Sequence, residues 1–202
     1  MASDTTQTRG ARSPEITAEL MATERLLWAG RPRQGVCLRF ADLYLIPFSL
    51  VWGGFAIFWE FAALKALFGM NGPPDLATAI IFPLFGLPFV VVGLYLIFGR
   101  FLVDAKIRAK TYYGLTDERA FVVTGLFNRK VRSVDLRTAT NLSLSERADG
   151  SGTIYFGPRH PFADWYANLQ WPGVPEPETC FDLIDDAKSV YNQVREAQAG
   201  AK

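Results

Sequence analysis

Apolar residues are concentrated in the middle of the chain, between Leu43 and Phe98, whereas both ends are ordinary polar sequence. Leu76–Phe98 contains no charged residue and, at about 1.5 Å per residue, is long enough to cross a hydrocarbon core of about 30 Å. A water-exposed helix of that length would carry a polar face, which this segment lacks. Leu43–Trp59 is shorter but equally free of charge. The pattern predicts two transmembrane helices, and the alternative is a buried hairpin in a soluble protein.

The region between the two predicted spans is short and contains residues that break helices. Gly69–Asp75 includes two glycines and two consecutive prolines, which a helix does not cross. Two helices joined so closely run antiparallel, so both termini are predicted on one side of the membrane. Phe61–Phe68 follows Glu60 and contains Lys65, and the sequence leaves open whether this stretch lies in hydrocarbon or in the interface.

Basic residues flank the outer ends of the two spans, whereas the connecting region offers only Lys65. The positive-inside rule therefore predicts that both termini are cytoplasmic and that the protein is a multi-pass protein of the inner (plasma) membrane. Basic side chains beside a span also attract anionic lipid headgroups, here without specificity for one lipid. The side chains expected to contact headgroups are Arg31, Arg33, Arg39, Arg100, Lys106, Arg108 and Lys110.

Glycines occur in both predicted spans, where small residues allow helices to approach closely. They are predicted to pack the hairpin on itself, and the alternative is a groove for another membrane protein. Neither predicted span has an ionisable residue deep within it, so the sequence predicts no proton relay and no ion path. The glycines assigned to helix packing are Gly53, Gly54, Gly86 and Gly93.

Downstream of the spans the hydrophobic pattern changes to short alternating segments separated by turn residues, which is typical of antiparallel strands. From Asp185 onward, apolar residues follow helical spacing, with Asp185 or Asp186 as the predicted cap and Gly200 just beyond the helix. A run of strands closed by one amphipathic helix predicts that the helix plugs the sheet. The predicted strands are Thr111–Leu115, Arg119–Thr124, Phe127–Leu136, the alternating residues around Leu142 and Leu144, and Thr153–Phe156.

The order of short motifs in this region resembles the bacterial pleckstrin-homology-like (PH-like) domain family, in its membrane-anchored members with two transmembrane helices. The chain has a Tyr-x-Leu-Thr-Asp-x-Arg hairpin, a glycine turn, an arginine-bearing strand ending in Asp-Leu, a Gly-x-Gly-Thr-Ile return and a closing helix. The segment Glu24–Gly35 is similar to the lead-in of anchored members, and the resemblance covers roughly Leu20–Ala197. The motif residues are Tyr113, Leu115, Thr116, Asp117, Arg119, Gly125, Arg132, Asp135, Leu136, Gly150, Gly152, Thr153 and Ile154.

This resemblance implies an α+β membrane protein in which a two-helix transmembrane hairpin precedes a PH-like antiparallel β-sandwich or partial barrel, capped by a C-terminal helix. It implies no catalytic activity. PH domains that bind phosphoinositides carry basic residues around the first hairpin loop. Thr116-Asp117-Glu118 stands there in this chain and would repel a phosphorylated headgroup, so specific phosphoinositide recognition is not expected.

Composition and charge exclude several other classes of function. The 202-residue chain has a formal net charge of +1, which gives no basis for nucleic-acid binding. Cys37 and Cys180 match no metal or redox spacing and are interpreted as reduced thiols. His160 is the only histidine and stands in a proline-rich loop without a catalytic partner. The chain is therefore predicted to be no enzyme and to need no cofactor and no metal.

Phe156–Thr179 is longer than an ordinary hairpin connection and carries several aromatic residues among prolines. Such residues dock partners or lie at the lipid interface when exposed, and the alternative is that they cover one edge of the sheet. The residues proposed for a partner-binding loop are Trp165, Tyr166 and Trp171.

The predicted organisation assigns residues 1–12 to a disordered N-terminus and 13–42 to a cytoplasmic lead-in. Residues 43–98 form the hairpin, with spans at about 43–59 and 76–98, and 99–110 form a basic juxtamembrane linker. Residues 111–197 form the PH-like domain, followed by a tail at 198–202. The function expected is a membrane-anchored, non-catalytic interaction module that binds an unidentified protein partner or a second copy of itself. The alternative is an accessory subunit that packs through its transmembrane helices into a larger membrane complex.

Overall fold

The computed structural model describes residues 13–39, 41–69, 75–125, 128–158 and 179–201. The chain divides into two compact units. Within the described residues, the helical unit comprises Leu38–Val103, and the β unit comprises the residues before Leu38 and after Val103. The protein is thus of the α+β class, with two long apolar helices and antiparallel sheets.

Five α-helices, seven strands and one π-helical turn occur in the described residues. The helices are α1 (Pro14–Thr17), α2 (Asp42–Gly69), α3 (Leu76–Leu94), α4 (Arg100–Ala109) and α5 (Ala187–Gly200), and the π-helical turn is Tyr95–Gly99. The strands are β1 (Leu26–Gly30), β2 (Thr111–Thr116), β3 (Arg119–Thr124), β4 (Lys130–Asp135), β5 (Ser143–Glu146), β6 (Gly152–Tyr155) and β7 (Cys180–Ile184).

The long helices extend beyond the predicted spans. Helix α2 continues past Trp59 to Gly69, so its 28 residues measure about 42 Å. After α3, the π-helical turn and α4 continue the helical conformation to Ala109, through the residues predicted as a juxtamembrane linker. Asp42–Lys65 and Ala79–Ala109 are long and apolar enough to cross a membrane by length and composition.

The β unit contains a four-stranded sheet in the order β1-β2-β3-β4, called sheet A here. Its first strand, Leu26–Gly30, lies in the predicted lead-in and was not anticipated as a strand, yet it pairs antiparallel with β2. The chain therefore leaves sheet A at β1, passes through both long helices and returns to the neighbouring strand. The predicted domain start at residue 111 omits this strand.

Sheet B contains three antiparallel strands in the order β5-β6-β7, and β7 was also missed by the sequence analysis. The main core contains residues of both sheets together with the apolar face of α5, as the helical spacing predicted. Its buried members include Trp28, Tyr113, Leu115, Ala120, Leu136, Ile154, Phe156, Phe181, Ile184, Ala187, Val190 and Val194.

Two details of the closing helix differ from the prediction. Asp186 occupies the N-cap position, but its side chain makes no capping hydrogen bond. Its φ of 51° takes the residue out of the extended conformation that side-chain capping requires. Gly200 is the last residue of α5 and does not lie beyond it. The C-cap residue is Ala201, which has a right-handed helical conformation.

Candidate functional site

The helical unit exposes an unusually large number of apolar side chains. Val51 is 74% exposed and Phe68 is 88% exposed. Only 22% and 17% of the most apolar windows of the two candidate spans are buried, whereas the core helix of a soluble protein is mostly buried. An apolar surface of this extent marks contact with a membrane or with another protein. Other exposed side chains on it include Phe48, Leu50, Phe55, Phe58, Phe61, Ile80, Ile81, Leu84, Phe85 and Val91.

Helices α2 and α3 contact each other along a narrow seam of small residues. In α2 the buried positions recur every three or four residues, at Asp42, Leu45, Ser49, Gly53 and Ala56. A Cβ atom added to Gly93 of α3 would lie 2.8 Å from the Cα of Gly53, so the two backbones meet at these glycines. Gly54 differs from its neighbour, because an added Cβ would meet no described atom within 4 Å. Three of the four predicted packing glycines thus line the seam, and Gly54 lies outside it.

The seam also holds a carboxyl group that the sequence analysis placed outside the span. Glu60 lies within α2, and a Cβ added to Gly86 of α3 would come within 1.9 Å of its Oε2. This oxygen is buried and has no hydrogen-bond partner among the described residues. The predicted span ended at Trp59, and the helix continues through Glu60. The signal was available in the sequence, since Glu60 lies four residues after Ala56 on the face that bears Gly53.

A buried ion pair joins the starts of α2 and α4. Arg100 Nη1 donates to Asp42 Oδ1 at 2.6 Å, and the two side chains are 2% and 7% exposed. Arg100 Nε donates to the carbonyl of Leu96 at 2.9 Å, and its guanidinium lies 4.3 Å from the ring centroid of Phe101. Asp42 Oδ2 accepts from the backbone N–H of Arg39 at 2.6 Å. The pair therefore fastens the two chain segments that enter and leave the hairpin.

A second buried arginine, Arg108 at the end of α4, organises the lead-in segment. Its Nε and Nη2 both donate to Asp104 Oδ2, at 3.0 and 2.7 Å. Its Nη1 donates to the carbonyl of Arg33 at 2.6 Å, and Nη2 donates to that of Gly35 at 2.7 Å. Nη1 also lies 2.8 Å from Cys37 Sγ. These contacts use the five N–H groups of the guanidinium within the protein.

Buried arginines cannot present their charge to lipid headgroups, so the expected headgroup contact is corrected for Arg100 and Arg108, which are 2% and 4% exposed. Both face inward, Arg100 towards Asp42 and the carbonyl of Leu96, and Arg108 towards Asp104 and the carbonyls of Arg33 and Gly35. Arg31 is half-buried, stacks over the Tyr112 ring at 4.6 Å and donates to the carbonyl of Ala109. Arg39 is also half-buried, whereas Lys106 and Lys110 are exposed, and their contact with headgroups stays a prediction.

Arg33 is exposed but engaged with acidic residues of the β unit. Its Nη1 contacts Asp149 Oδ2 at 2.7 Å and its Nε contacts Asp185 Oδ1 at 3.4 Å. The hydrogen bond from Ser151 Oγ, together with the one from Arg33, holds the pKa of Asp149 well below its usual range. The hydrogen bond to Asp149 in turn raises the pKa of Arg33 above its usual value. This arginine therefore fastens the lead-in to the turn before β6.

The Thr-Asp-x-Arg hairpin has a structural explanation. Thr116 Oγ1 accepts from the backbone N–H groups of Glu118 and Arg119, which closes the turn. Asp117 Oδ1 accepts from the backbone N–H of Arg25 at 3.0 Å, and Arg119 Nε donates to Glu24 Oε1 at 2.7 Å. The motif thus holds the lead-in segment against sheet A.

Several predicted residues lie outside the described residues. These are the partner-loop residues Trp165, Tyr166 and Trp171, together with His160. In the described part of the chain, no group of three or more His, Cys, Asp or Glu side chains is arranged to hold a metal ion. No protein-family model, curated protein or solved structure matches this chain.

Proposed function

We propose that the protein is a membrane-anchored, non-catalytic interaction module. Helices α2 and α3 cross the membrane as a hairpin, and the β unit stays at the cytoplasmic face, where it binds a protein partner or a second copy of the chain. The single observation that carries this proposal is the insertion of the hairpin between paired strands β1 and β2. Because these strands are neighbours, the chain leaves and re-enters the same side of any membrane that it crosses.

The surface of the helical unit supports membrane insertion. Its seam uses small residues and buries few side chains, and the remaining apolar side chains face outward. In a membrane this arrangement needs no further protein, since lipid tails solvate apolar side chains. Exposed Lys106 and Lys110 lie beside the end of the hairpin, where their charges favour the cytoplasmic leaflet.

The arrangement of the β unit supports a PH-like fold. Two antiparallel sheets share one core with a closing helix, which is the architecture that the resemblance implies. The hairpin motif of the resemblance fastens the lead-in through Asp117 and Arg119, and these residues therefore have a structural role. This combination favours a binding function without catalysis.

The alternative is an accessory subunit within a larger membrane complex, and one observation favours it. Gly54 offers open space on the outer face of α2, where another helix could approach closely. Gly53, Gly86 and Gly93 are occupied within the hairpin, so a docking helix would have to use the Gly54 side.

Purification in native nanodiscs with mass spectrometry of co-purifying proteins tests both functions. The interaction module predicts that partners are lost in Trp165→Ala/Trp171→Ala and retained in Gly54→Leu. The accessory subunit predicts the reverse. Gly54→Leu is the matched variant because its side chain enters open space and leaves the hairpin packed. Partner loss in neither variant would contradict both site assignments, and release of the protein by alkaline extraction would contradict membrane anchoring.

A further inference from the structure

Helix α2 carries an apolar stripe outside its seam with α3, called the outer stripe here. Its residues follow one another at alternating intervals of four and three, which is the spacing of the a and d positions in a coiled coil. Ile57 is 49% exposed, Phe61 is 65% exposed and Phe68 is 88% exposed. A stripe of this spacing lies along one side of a helix and can pack against a like stripe. Its members are Leu50, Gly54, Ile57, Phe61, Leu64 and Phe68.

Two residues of opposite charge flank the outer stripe. With Gly54 and Phe61 at a positions, Glu60 takes a g position and Lys65 takes an e position. Lys65 is exposed, and it is the only basic residue in the sequence between Arg39 and Arg100. The charges that flank the stripe are therefore of the kind that sets partner choice and orientation between coiled-coil helices.

The carboxyl group of Glu60 lies at a depth where it needs a partner. Glu60 follows Asp42 by 18 residues, or about 27 Å of helix, which is less than a hydrocarbon core of about 30 Å. Because Cα–Cβ bonds tilt towards the N-terminus of a helix, the side chain points back along α2 towards the Asp42 end. Its Oε2 is buried without a hydrogen-bond partner among the described residues. Ionisable groups inside a membrane are costly unless they are paired.

Lys65 of the same chain does not face Glu60, because five residues turn a helix through about 500° and leave the two side chains roughly 140° apart. Between two parallel helices the same spacing has the opposite effect. A g residue of one helix then faces the e residue of the following heptad in the other, which is five positions later. The backward tilt of the Lys65 side chain brings its ammonium group towards the depth of Glu60 in the neighbouring helix.

We infer that the outer stripe of α2 is a self-association site, at which two copies of this chain pair in parallel and Glu60 of each copy binds Lys65 of the other. The inference rests on the proposed function, because insertion with one topology makes α2 parallel in all copies. Confinement to one bilayer raises the effective concentration of one copy around another, whereas excess detergent dilutes the copies.

The complementarity of the charges selects a second copy as the occupant. The chain itself carries both members of the ion pair, at the interval that parallel helices require. A two-fold axis between the copies forms both Glu60–Lys65 pairs at once and places each outer stripe on its equivalent. Transmembrane helices commonly pack with the crossing angle of coiled coils, so this arrangement suits a bilayer.

Disulfide cross-linking in the bilayer tests the pairing of the stripes. In a background with Cys37→Ser and Cys180→Ser, Ile57→Cys places a thiol at a d position, where two parallel helices come close. Phe55→Cys is the matched control, since Phe55 is 64% exposed at nearly the same depth but lies outside the outer stripe. Each full-length chain is reconstituted in proteoliposomes and oxidised, and only protein that resists alkaline extraction is scored. We expect several-fold more disulfide-linked dimer from Ile57→Cys than from Phe55→Cys.

Charge reversal tests the ion pairs, with Ile57→Cys present in two differently tagged chains. Lys65→Glu alone sets carboxylates against each other, and Glu60→Lys alone sets ammonium groups against each other, so either variant should give several-fold less dimer. Mixing the two variants restores opposite charges at both pairs and should return the heterodimer to the level of Ile57→Cys alone. Position 65 is exposed, so Lys65→Glu leaves the seam with α3 intact.

Equal dimer yields from Ile57→Cys and Phe55→Cys would overturn the inference. So would a dimer that persists undiminished in Lys65→Glu, or a mixture of two membrane-retained variants that gives no heterodimer. Failure of the proposed membrane anchoring has a different sign, because the chain would then be released by alkaline extraction before any dimer is scored. The two failures are therefore distinguishable.

Discussion

The guanidinium of Arg100 donates to the carboxylate of Asp42 at 2.6 Å, joining the first residues of α4 and α2 across 58 positions of sequence. Both side chains are almost completely buried. The pair links the entry and the exit of the hairpin, which are the positions where the β unit connects to the long helices. The position of Arg100 beside a span predicts lipid contact, because its partner Asp42 is distant in sequence.

Removing one member of this pair should destabilise the hairpin strongly. Asp42→Asn leaves Arg100 buried without its counter-charge, and such a change costs about 3–5 kcal/mol. The combined Asp42→Leu/Arg100→Met variant should recover most of this loss, because no unpaired charge remains. Thermal unfolding in detergent measures the stability of the wild type, the single variant and the combined variant. Equal losses in the single and the combined variant would contradict a coupled pair.

The glycine seam predicts that substitutions at the neighbouring positions Gly53 and Gly54 differ in their effect on stability. Gly53→Leu should lower the unfolding temperature, since a Cβ atom there already meets Ile97 Cδ1 at 2.8 Å and overpacking costs about 1–3 kcal/mol. Gly54→Leu is the matched control and should leave the unfolding temperature unchanged. Similar effects of the two substitutions in detergent would show that the seam does not run through Gly53.

Substitutions at Glu60 and Gly86 should have coupled effects on stability. Gly86→Ala should displace the Glu60 carboxyl, because the added Cβ would lie 1.9 Å from Oε2. Combining it with Glu60→Ala should restore much of the stability, since the shorter side chain leaves room for the new methyl group. A double-mutant cycle by thermal unfolding in detergent measures the coupling energy. Additive effects would show that the two residues do not touch.

In sheet A, the close packing around Gly114 predicts that a larger residue there lowers stability. The ring of Phe121 covers this glycine from the opposite strand, and an added Cβ would lie 2.3 Å from Phe121 Cζ. Gly114→Ala should therefore destabilise the β unit by about 1–3 kcal/mol. Gly125→Ala, where an added Cβ meets no described atom within 4 Å, is the control. Chemical denaturation followed by tryptophan fluorescence measures both variants, and equal stabilities would contradict the Phe121 contact.

The cluster of exposed Arg33 and Asp149 with buried Ser151 predicts a weak pH dependence of stability at acidic pH. The folded-state pKa of Asp149 is lowered, so its contribution to stability is present above the unfolded-state pKa of about 3.9. That contribution is lost as the pH falls through the lower folded-state pKa. Asp149→Asn should remove this contribution, so the variant should be slightly less stable than the wild type at neutral pH and should approach it at the acid end. An unchanged acid profile would contradict the lowered pKa.

The presence of two long apolar helices and most of the strands could be predicted from the hydrophobic pattern, because each pattern is local. The helices nevertheless run further than the predicted spans. Strand β1 was missed because Leu26–Gly30 is a short apolar run whose partner β2 lies beyond the whole hairpin. Strand β7 follows a long loop and depends on pairing with β6. In both cases the pairing is set by packing between distant segments, which a local pattern does not contain.

The candidate site was predicted less completely than the fold. Charge near a span indicated seven headgroup contacts. Arg100 instead pairs with Asp42, which is distant in sequence, whereas Arg108 pairs with Asp104 four residues earlier and with the distant carbonyls of Arg33 and Gly35. The position of Glu60 follows from the length of α2, which continues to Gly69, well beyond the predicted end of the span at Trp59. The packing of Ile16 on sheet A was not predicted, because a single buried residue carries no periodicity.

The central claim is a membrane hairpin inserted between β1 and β2, with the β unit on the cytoplasmic side. Accessibility of single cysteines in intact cells tests it most directly, in a background with Cys37→Ser and Cys180→Ser. A membrane-impermeant maleimide should label Asn71→Cys, in the connection, and should label Thr140→Cys, an exposed position of the β unit, only after permeabilisation. Labelling of both positions from outside, or protection of Asn71→Cys in intact cells, would contradict the account.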